Sequence, residues 1–301
     1  MAAASVSVMD VVEVAALVLA ALEVTPSEPA DLTPLVRDRR GFQSLVSAHR
    51  STGSLALAEY LADSIDHHRV EHWTAVLRHD VLETRRYRIL LAGHDDYPGR
   101  LNDVWDAAPL LFMRGSLASE TAPAVAIVGS RSTSDATLTA TEELAFELAD
   151  QGVDIVSGLA LGVDGAAHRG ALRSGGRTTA VLGTGIETNF PAQHAGLAAE
   201  IGTRGALISQ FPPRAPHTST SFLRRNGTIA ALCDMLVVMD AASRSGSRQA
   251  VRRAVEYHRP VMMWEPTLGR DTWAKGLVDS GQGQFFSEPA QMHDALRKVA
   301  L

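Results

Sequence analysis

The chain has 301 residues, 46% of them hydrophobic and 21% charged, which fits a globular protein of more than one unit and excludes global disorder. A formal net charge of −6 excludes a strongly basic, duplex-coating protein, and a single cysteine, Cys233, excludes a disulfide framework or a cysteine-based zinc cluster. The charge is uneven, with 11 Lys and Arg against 16 Asp and Glu in residues 1–119 and 17 against 18 in residues 120–301; all but two of the 28 basic residues are arginine. From the N-terminus, Val6 to Val24 is apolar at helical spacing, and Pro26, Pro29 and Pro34 break it. Leu55 to Ile65 and Val70 to Leu82 predict two more amphipathic helices, with Gly53 as punctuation. The apolar run Val14 to Leu22 has nine residues, too few to span a bilayer, and no basic segment precedes it as in a signal peptide, so a cytoplasmic location is expected. His67, His68, His72 and His79 raise a metal reading, but no HExxH pattern or carboxylate partner completes it, and the alternative is a solvated helix face. Residues 1–85 are thus expected to form a helical N-terminal domain.

In residues 86–117 the pattern predicts a strand at Arg88 to Leu91, a turn at Tyr97-Pro98-Gly99, a short helix at Leu101 to Trp105 and a strand at Leu110 to Arg114; Ala118 to Pro123 reads as a linker. From Ala124 apolar strands (125–130, 153–158, 178–183, 205–211, 235–240, 260–265) alternate with helices (135–150, 163–174, 192–202, 221–233, 246–257, 288–299). The strands are rich in Val, Ile and Leu with little alternation, as when helices cover both faces. Strict alternation of this kind implies right-handed crossovers and an α/β, extended Rossmann-like, doubly wound and mostly parallel sheet over residues 86–301. Cys233, inside the run IAALCDMLVV, reads as a small buried hydrophobe.

The strand ends carry the candidate chemistry. Gly129-Ser130-Arg131 follows the first strand: two small residues that allow close backbone approach, then an arginine to clamp a phosphate, or else an ordinary turn with an exposed arginine. In SGLALGVDGAAHRGAL, Ser157 and Gly158 end a strand, Asp164 is placed to cap the next helix and His168 lies four residues on; either Ser157, Gly158 and His168 line a site, or Asp164 and His168 brace the helix start. Gly183 opens a similar loop without the lysine of a Walker sequence, so NTP hydrolysis is not expected. Arg224, Arg225 and Asn226 begin a helix and make an anion site or a surface charge pair. Ser245, Gly246 and Arg248 form a further small-residue turn into a helix. Phe190 and Phe222 are candidates for base stacking, with core packing as the alternative. There is no GxGxxG fingerprint, GxSxG elbow or metal constellation, so the theme is anion binding without a nucleophile and without a cofactor.

In order, DDYPGRLNDVWDAAPLLFMRGSL, AIVGSRSTS, SGLALGVDGAAHRGAL, VLGTGIETNFP, LISQFP, FLRRNGTIAAL, LVVMDAASRSGS and GLVDSG resemble the DNA-processing protein A family (DprA, also called Smf) over roughly residues 87–281. The resemblance implies single-stranded DNA binding without catalysis, dimerisation through the Rossmann domain, protection of incoming DNA and help in loading RecA during natural transformation. Arg131, Arg225 and Asn226 fall on the family's DNA-pocket positions; Gly129, Ser130, Ser157, Gly158, Gly183 and Gly246 fall on its backbone-approach positions. The chain departs from the pattern at Leu161 and Gly227, where the family usually has basic residues, and at Ala250, Gln210 and Asp240; Arg224 and Arg248 are candidates to replace the lost cations. Each lost phosphate contact flattens the salt dependence by about one unit of log slope, so weakened or re-aimed DNA binding is expected. No room is expected after GLVDSG and its following segment for the C-terminal winged-helix-like domain of many relatives. The rival expectation is a nucleotide-signal sensor of the same superfamily. A phosphoribohydrolase is a weaker third, since its PGGxGTxxE motif is missing.

Overall fold

The computed structural model describes residues 8–24, 29–37, 61, 64–243 and 245–299. Most of the helix expected at Leu55 to Ile65, with Gly53 and Pro26, lies outside them. Two compact units divide the chain, Met1–Met113 and Arg114–Leu301; the sequence placed a boundary at 85/86.

The first unit starts with α1 (Val8–Val24), whose Val12, Ala15, Ala16 and Leu19 are buried. A 3-10 turn (Pro29–Leu32) and α2 (Thr33–Arg37) follow. Then α3 (His67–Leu77), N-capped by the Asp66 carboxylate accepting from the His68 N–H, runs on as a π-helical turn, Arg78–Glu83. Arg69 and Trp73 of α3 bond the Glu23 carboxylate of α1. β1 (Arg88–Leu91), the four-residue α4 (Gly99–Asn102) and β2 (Leu110–Gly115, its first four residues in this unit) follow, with β1 and β2 antiparallel and Ile89 opposite Phe112. Tyr97 donates to the Ala108 carbonyl at 2.6 Å, closing the loop between the strands. That pairing keeps residues 86–113 within one compact unit. Helix α4 is earlier and shorter than the expected Leu101 to Trp105: Pro98 is its N-cap and Asp103 its C-cap. The histidines lie on a solvated face, His68 beside Glu71 and His79 beside Glu83, and no metal-binding group of His, Cys, Asp or Glu occurs among the described residues. No helix of the described residues is long and apolar enough to cross a membrane.

The second unit alternates strands and helices as the sequence pattern implies. Its elements are β3 (Ala124–Val128), α5 (Asp135–Asp150), β4 (Asp154–Ser157), α6 (Val163–Arg173), β5 (Thr178–Val181), a 3-10 turn (Ala192–His194) with α7 (Ala195–Arg204), β6 (Ala206–Ser209), α8 (Ser219–Ala231), β7 (Met235–Val238), α9 (Gly246–Glu256) and β8 (Val261–Trp264). Three elements escaped the sequence reading: α10 (Glu265–Leu268), α11 (Thr272–Asp279) and β9 (Gln284–Phe286), before the closing α12 (Pro289–Val299). Short length hid them: β9 spans three residues, and α11 is announced only by Asp271, whose carboxylate caps it through the Trp273 and Ala274 N–H groups.

Among the described residues of this unit the strands run parallel in the order β6-β5-β4-β3-β7-β8-β9. The chain builds outward from β3 to β6, then crosses through α8 to β7 on the other side of β3. Strand order reverses between β3 and β7, the place where α/β proteins open a crevice at the carboxyl edge. Val125 and Ile127 of β3, Ile155 of β4 and Val237 of β7 pack with Leu144, Leu148, Ala167 and Phe286 in one core layer. Cys233 is fully buried. Strands end one or two residues before their expected limits, so Gly129, Ser130 and Gly158 stand in loops beyond the ladder.

Candidate nucleic-acid interface

The loops after β3, β4 and β5 and the first turns of α8 meet at the carboxyl edge. Their glycines are required first by internal packing. A Cβ at Gly129 would stand 2.5 Å from Val163, and one at Gly183 would stand 2.5 Å from the Phe222 ring. A Cβ at Gly158 would occupy the space of Arg225 Nη1. Gly162, at φ +76°, is pressed against the carbonyls of Ser130 and Arg131. Gly129, Gly158 and Gly183 were expected to let a phosphate approach the backbone; their missing Cβ also makes room for a neighbouring side chain, and Gly162, expected at a tight turn, makes room for the Ser130–Arg131 backbone, which holds the turns after β3 and β4 together.

Arg225 is 4% exposed and lies 3.7 Å from the Asp164 carboxylate. Its Nη1 reaches the Val181 carbonyl at 3.4 Å, and its Nε has no hydrogen-bond partner. Burial pushes the guanidinium below its ordinary value, opposed by Asp164. Burial likewise raises Asp164, opposed mainly by Arg225. Breaking such a buried pair costs about 3–5 kcal/mol, because it leaves one charge uncompensated. Asp164, expected to cap α6, bonds the Ala160 N–H at 3.3 Å instead; Gly162 is the N-cap residue.

Arg131 is exposed, and its guanidinium carbon sits 5.0 Å from the centre of the Phe222 ring. Among the described residues it pairs with no carboxylate. Phe222 belongs to an aromatic shelf. Phe190 stacks on His217 at 4.0 Å between ring centres, and each lies 5.8 Å from Phe222. Both phenylalanines are half-buried rather than core residues. His217, exposed, is a shelf member that the sequence reading missed, because nothing in its local pattern pairs it with Phe190 from a distant loop. The capping box of Thr218 and Ser221, with Ser221 Oγ donating to the Gly183 carbonyl at 2.6 Å, fixes the start of α8 and so the shelf.

Several expected site residues are placed elsewhere. His168 is fully buried: its ring Nδ1 meets Thr178 Oγ1 at 2.7 Å, and that hydroxyl donates to the Ile155 carbonyl. Nδ1 therefore carries the hydrogen. Burial first, then the charges of His194, Arg225 and Arg169, pull its pKa to about 3, so it is a neutral core brace rather than a lining residue. Ser157 is fully buried too, its hydroxyl donating to the Ile127 carbonyl at 2.6 Å. Asn226 donates to the Gly246 carbonyl at 3.0 Å and so joins α8 to the Ser245–Gly246 turn. Arg248 is committed to Asp271 at 2.7 Å and lies 4.4 Å from the Trp273 ring centre. Arg224 is half-buried on α8. Of the departures, Leu161 is 39% exposed beside the Arg131 turn, whereas Gly227 and Ala250 are buried.

This arrangement, with loops, an exposed arginine and an aromatic shelf over the carboxyl edge of a parallel sheet on the β3–β5 side, defines a Rossmann-like α/β protein with a candidate ligand surface at that edge. The chain belongs to the DNA recombination-mediator protein A family, which matches residues 88–295. It is 40% identical over 167 residues to the DNA processing protein DprA of Streptococcus pneumoniae, covering 56% of this chain and 59% of that one. It is 38% identical over 189 residues to the Smf protein of Escherichia coli, covering 62% and 50%. The chain thus spans between half and three-fifths of the length of these relatives. The crystal structure of the Streptococcus pneumoniae protein superposes with a TM-score of 0.72 at 25% identity, over 95% of this chain and 97% of that one. The DNA processing protein A of Helicobacter pylori, solved for its single-stranded DNA binding mode, superposes with a TM-score of 0.63 at 27% identity, over 71% and 96%.

Proposed function

We propose that the carboxyl edge of the second unit binds single-stranded DNA without catalysis, in a cytoplasmic protein acting as a homodimer that shields the strand and assists RecA loading. The observation that carries this reading is Arg131 poised over Phe222 beside the stacked Phe190–His217 pair. An exposed cation next to flat rings suits a phosphate next to an unstacked base, and such stacking is tolerant of sequence. The Helicobacter pylori relative's single-stranded DNA binding supports the ligand class. A non-catalytic role is supported by the fates of Asp164 and His168, the ionisable pair expected near the edge: both are buried and bonded inward.

Fluorescence anisotropy with labelled oligo-dT across a salt series tests the reading. Binding that falls steeply with salt is expected, each phosphate contact contributing about one unit of log slope. No binding at low salt, together with thermal stabilisation by a mononucleotide, would overturn it in favour of a nucleotide sensor.

A further inference from the structure

The geometry points to His194 as a positioning residue for this site, acting through the turn that follows β4; the inference rests on the oligonucleotide reading above. His194 ends the 3-10 turn before α7 and is half-buried. Its Nδ1 lies 2.9 Å from the Leu159 carbonyl, and since a carbonyl only accepts, Nδ1 carries the hydrogen. Leu159 is a buried leucine held at φ +59°, in the left-handed region that favours glycine, so the turn needs an outside partner to keep that shape. The His194 ring also covers the first turn of α6: a Cβ at Gly165 would stand 2.6 Å from its Cε1.

The consequence reaches Arg131 through the backbone. Leu159 leads into Gly162, which is wedged against the Ser130 and Arg131 carbonyls, and the Val163 N–H donates to the Ser130 carbonyl at 3.2 Å. His194, Leu159, Phe190 and Pro191 also line one small pit, which brings the imidazole, the turn and one member of the aromatic shelf to the same place. A single imidazole thereby sets the height of the Arg131 loop relative to the rings.

The test compares wild type with His194→Ala, His194→Asn and His194→Gln by oligo-dT affinity, thermal melting and amide hydrogen exchange over residues 158–163. Asparagine puts an amide N–H where imidazole Nδ1 stands; glutamine puts it one methylene further out. Alanine and glutamine should weaken oligo-dT binding about five- to tenfold with faster exchange in the turn, as loss of one neutral hydrogen bond implies, and asparagine should restore both to within about twofold. Unchanged exchange in His194→Ala, or asparagine failing as alanine does, overturns the positioning role. Loosened exchange in His194→Ala, rescued by asparagine, upholds that role even if wild type binds no oligo-dT, a result that would sink only the ligand reading.

Discussion

Beyond the ends of β3, β4 and β5, Arg131 faces solvent over Phe222, and Arg225 is buried behind it against Asp164. Beyond the end of β7, Arg248 also follows a small-residue turn, but from the first turn of α9 rather than from the loop, and it is neutralised by Asp271 and covered by Trp273. Composition does not separate the two sides; commitment does. An arginine already bonded to a carboxylate and stacked on a ring gains little from a phosphate, whereas one held only over a ring keeps its donors available. The difference confines the predicted footprint to the β3–β5 side.

The largest effect should come from Gly158→Val. The new Cβ claims the space of Arg225 Nη1, so the Asp164 pair breaks inside the protein. A loss of about 3–5 kcal/mol in urea unfolding is expected, with oligo-dT binding lost alongside it. A folded variant of wild-type stability would show that Arg225 has somewhere else to go, and the contrast with Arg248 would collapse.

Next is the acid response. His168 is neutral when folded, with a pKa of about 3 against an ordinary 6.5, so below pH 6.5 the unfolded chain binds the extra proton. The stability from this group is complete above pH 6.5 and is lost as pH falls towards 3, by about 2 kcal/mol at pH 5. Calorimetric melting of wild type and His168→Asn between pH 7 and pH 5 checks it. A slope identical in both proteins would mean that the histidine is not the group responsible.

Arg131→Ala should cost affinity without stability. Oligo-dT binding is expected to fall about tenfold and the salt slope to drop by about one, while unfolding stays within about 0.5 kcal/mol of wild type. Affinity unchanged would move the site off the β3–β5 side altogether.

How much of this was legible beforehand follows from the range of the interactions. The β-α alternation from Ala124 onward depends on apolar runs that any local window contains, so the doubly wound sheet was readable. The Gly-Ser-Arg turn and the Arg-Asn pair were readable as landmarks for the same reason. Their contacts were not. Gly158 makes room for Arg225, which lies 67 positions away, and Gly183 makes room for Phe222, 39 positions away; no periodicity connects such pairs. The i, i+4 spacing of Asp164 and His168 left open whether His168 lines a site or braces the helix; only the contact with Thr178, ten positions on, turns that face towards the core. Arg248 reads from its own turn as an available cation because its partners, the N-cap Asp271 and Trp273 of the short α11, lie more than twenty positions away.

The smallest effect is the most discriminating. Arg248→Ala removes a cation one turn into α9, the position that would matter most if the whole carboxyl edge gripped the strand. With Asp271 and Trp273 already holding that side chain, oligo-dT affinity and salt slope should stay within about twofold of wild type. Melting should fall slightly, through loss of a part-buried pair and of the packing over Trp273. Asp271→Asn carries the converse: it keeps a side-chain acceptor at the start of α11 but removes the charge that neutralises Arg248. If binding strengthens and the salt slope steepens in Asp271→Asn, the β7 side is a second phosphate contact held in check by one carboxylate. If it does not, the two sides of the edge differ in geometry as well as in charge, and the strand's path ends at Phe222.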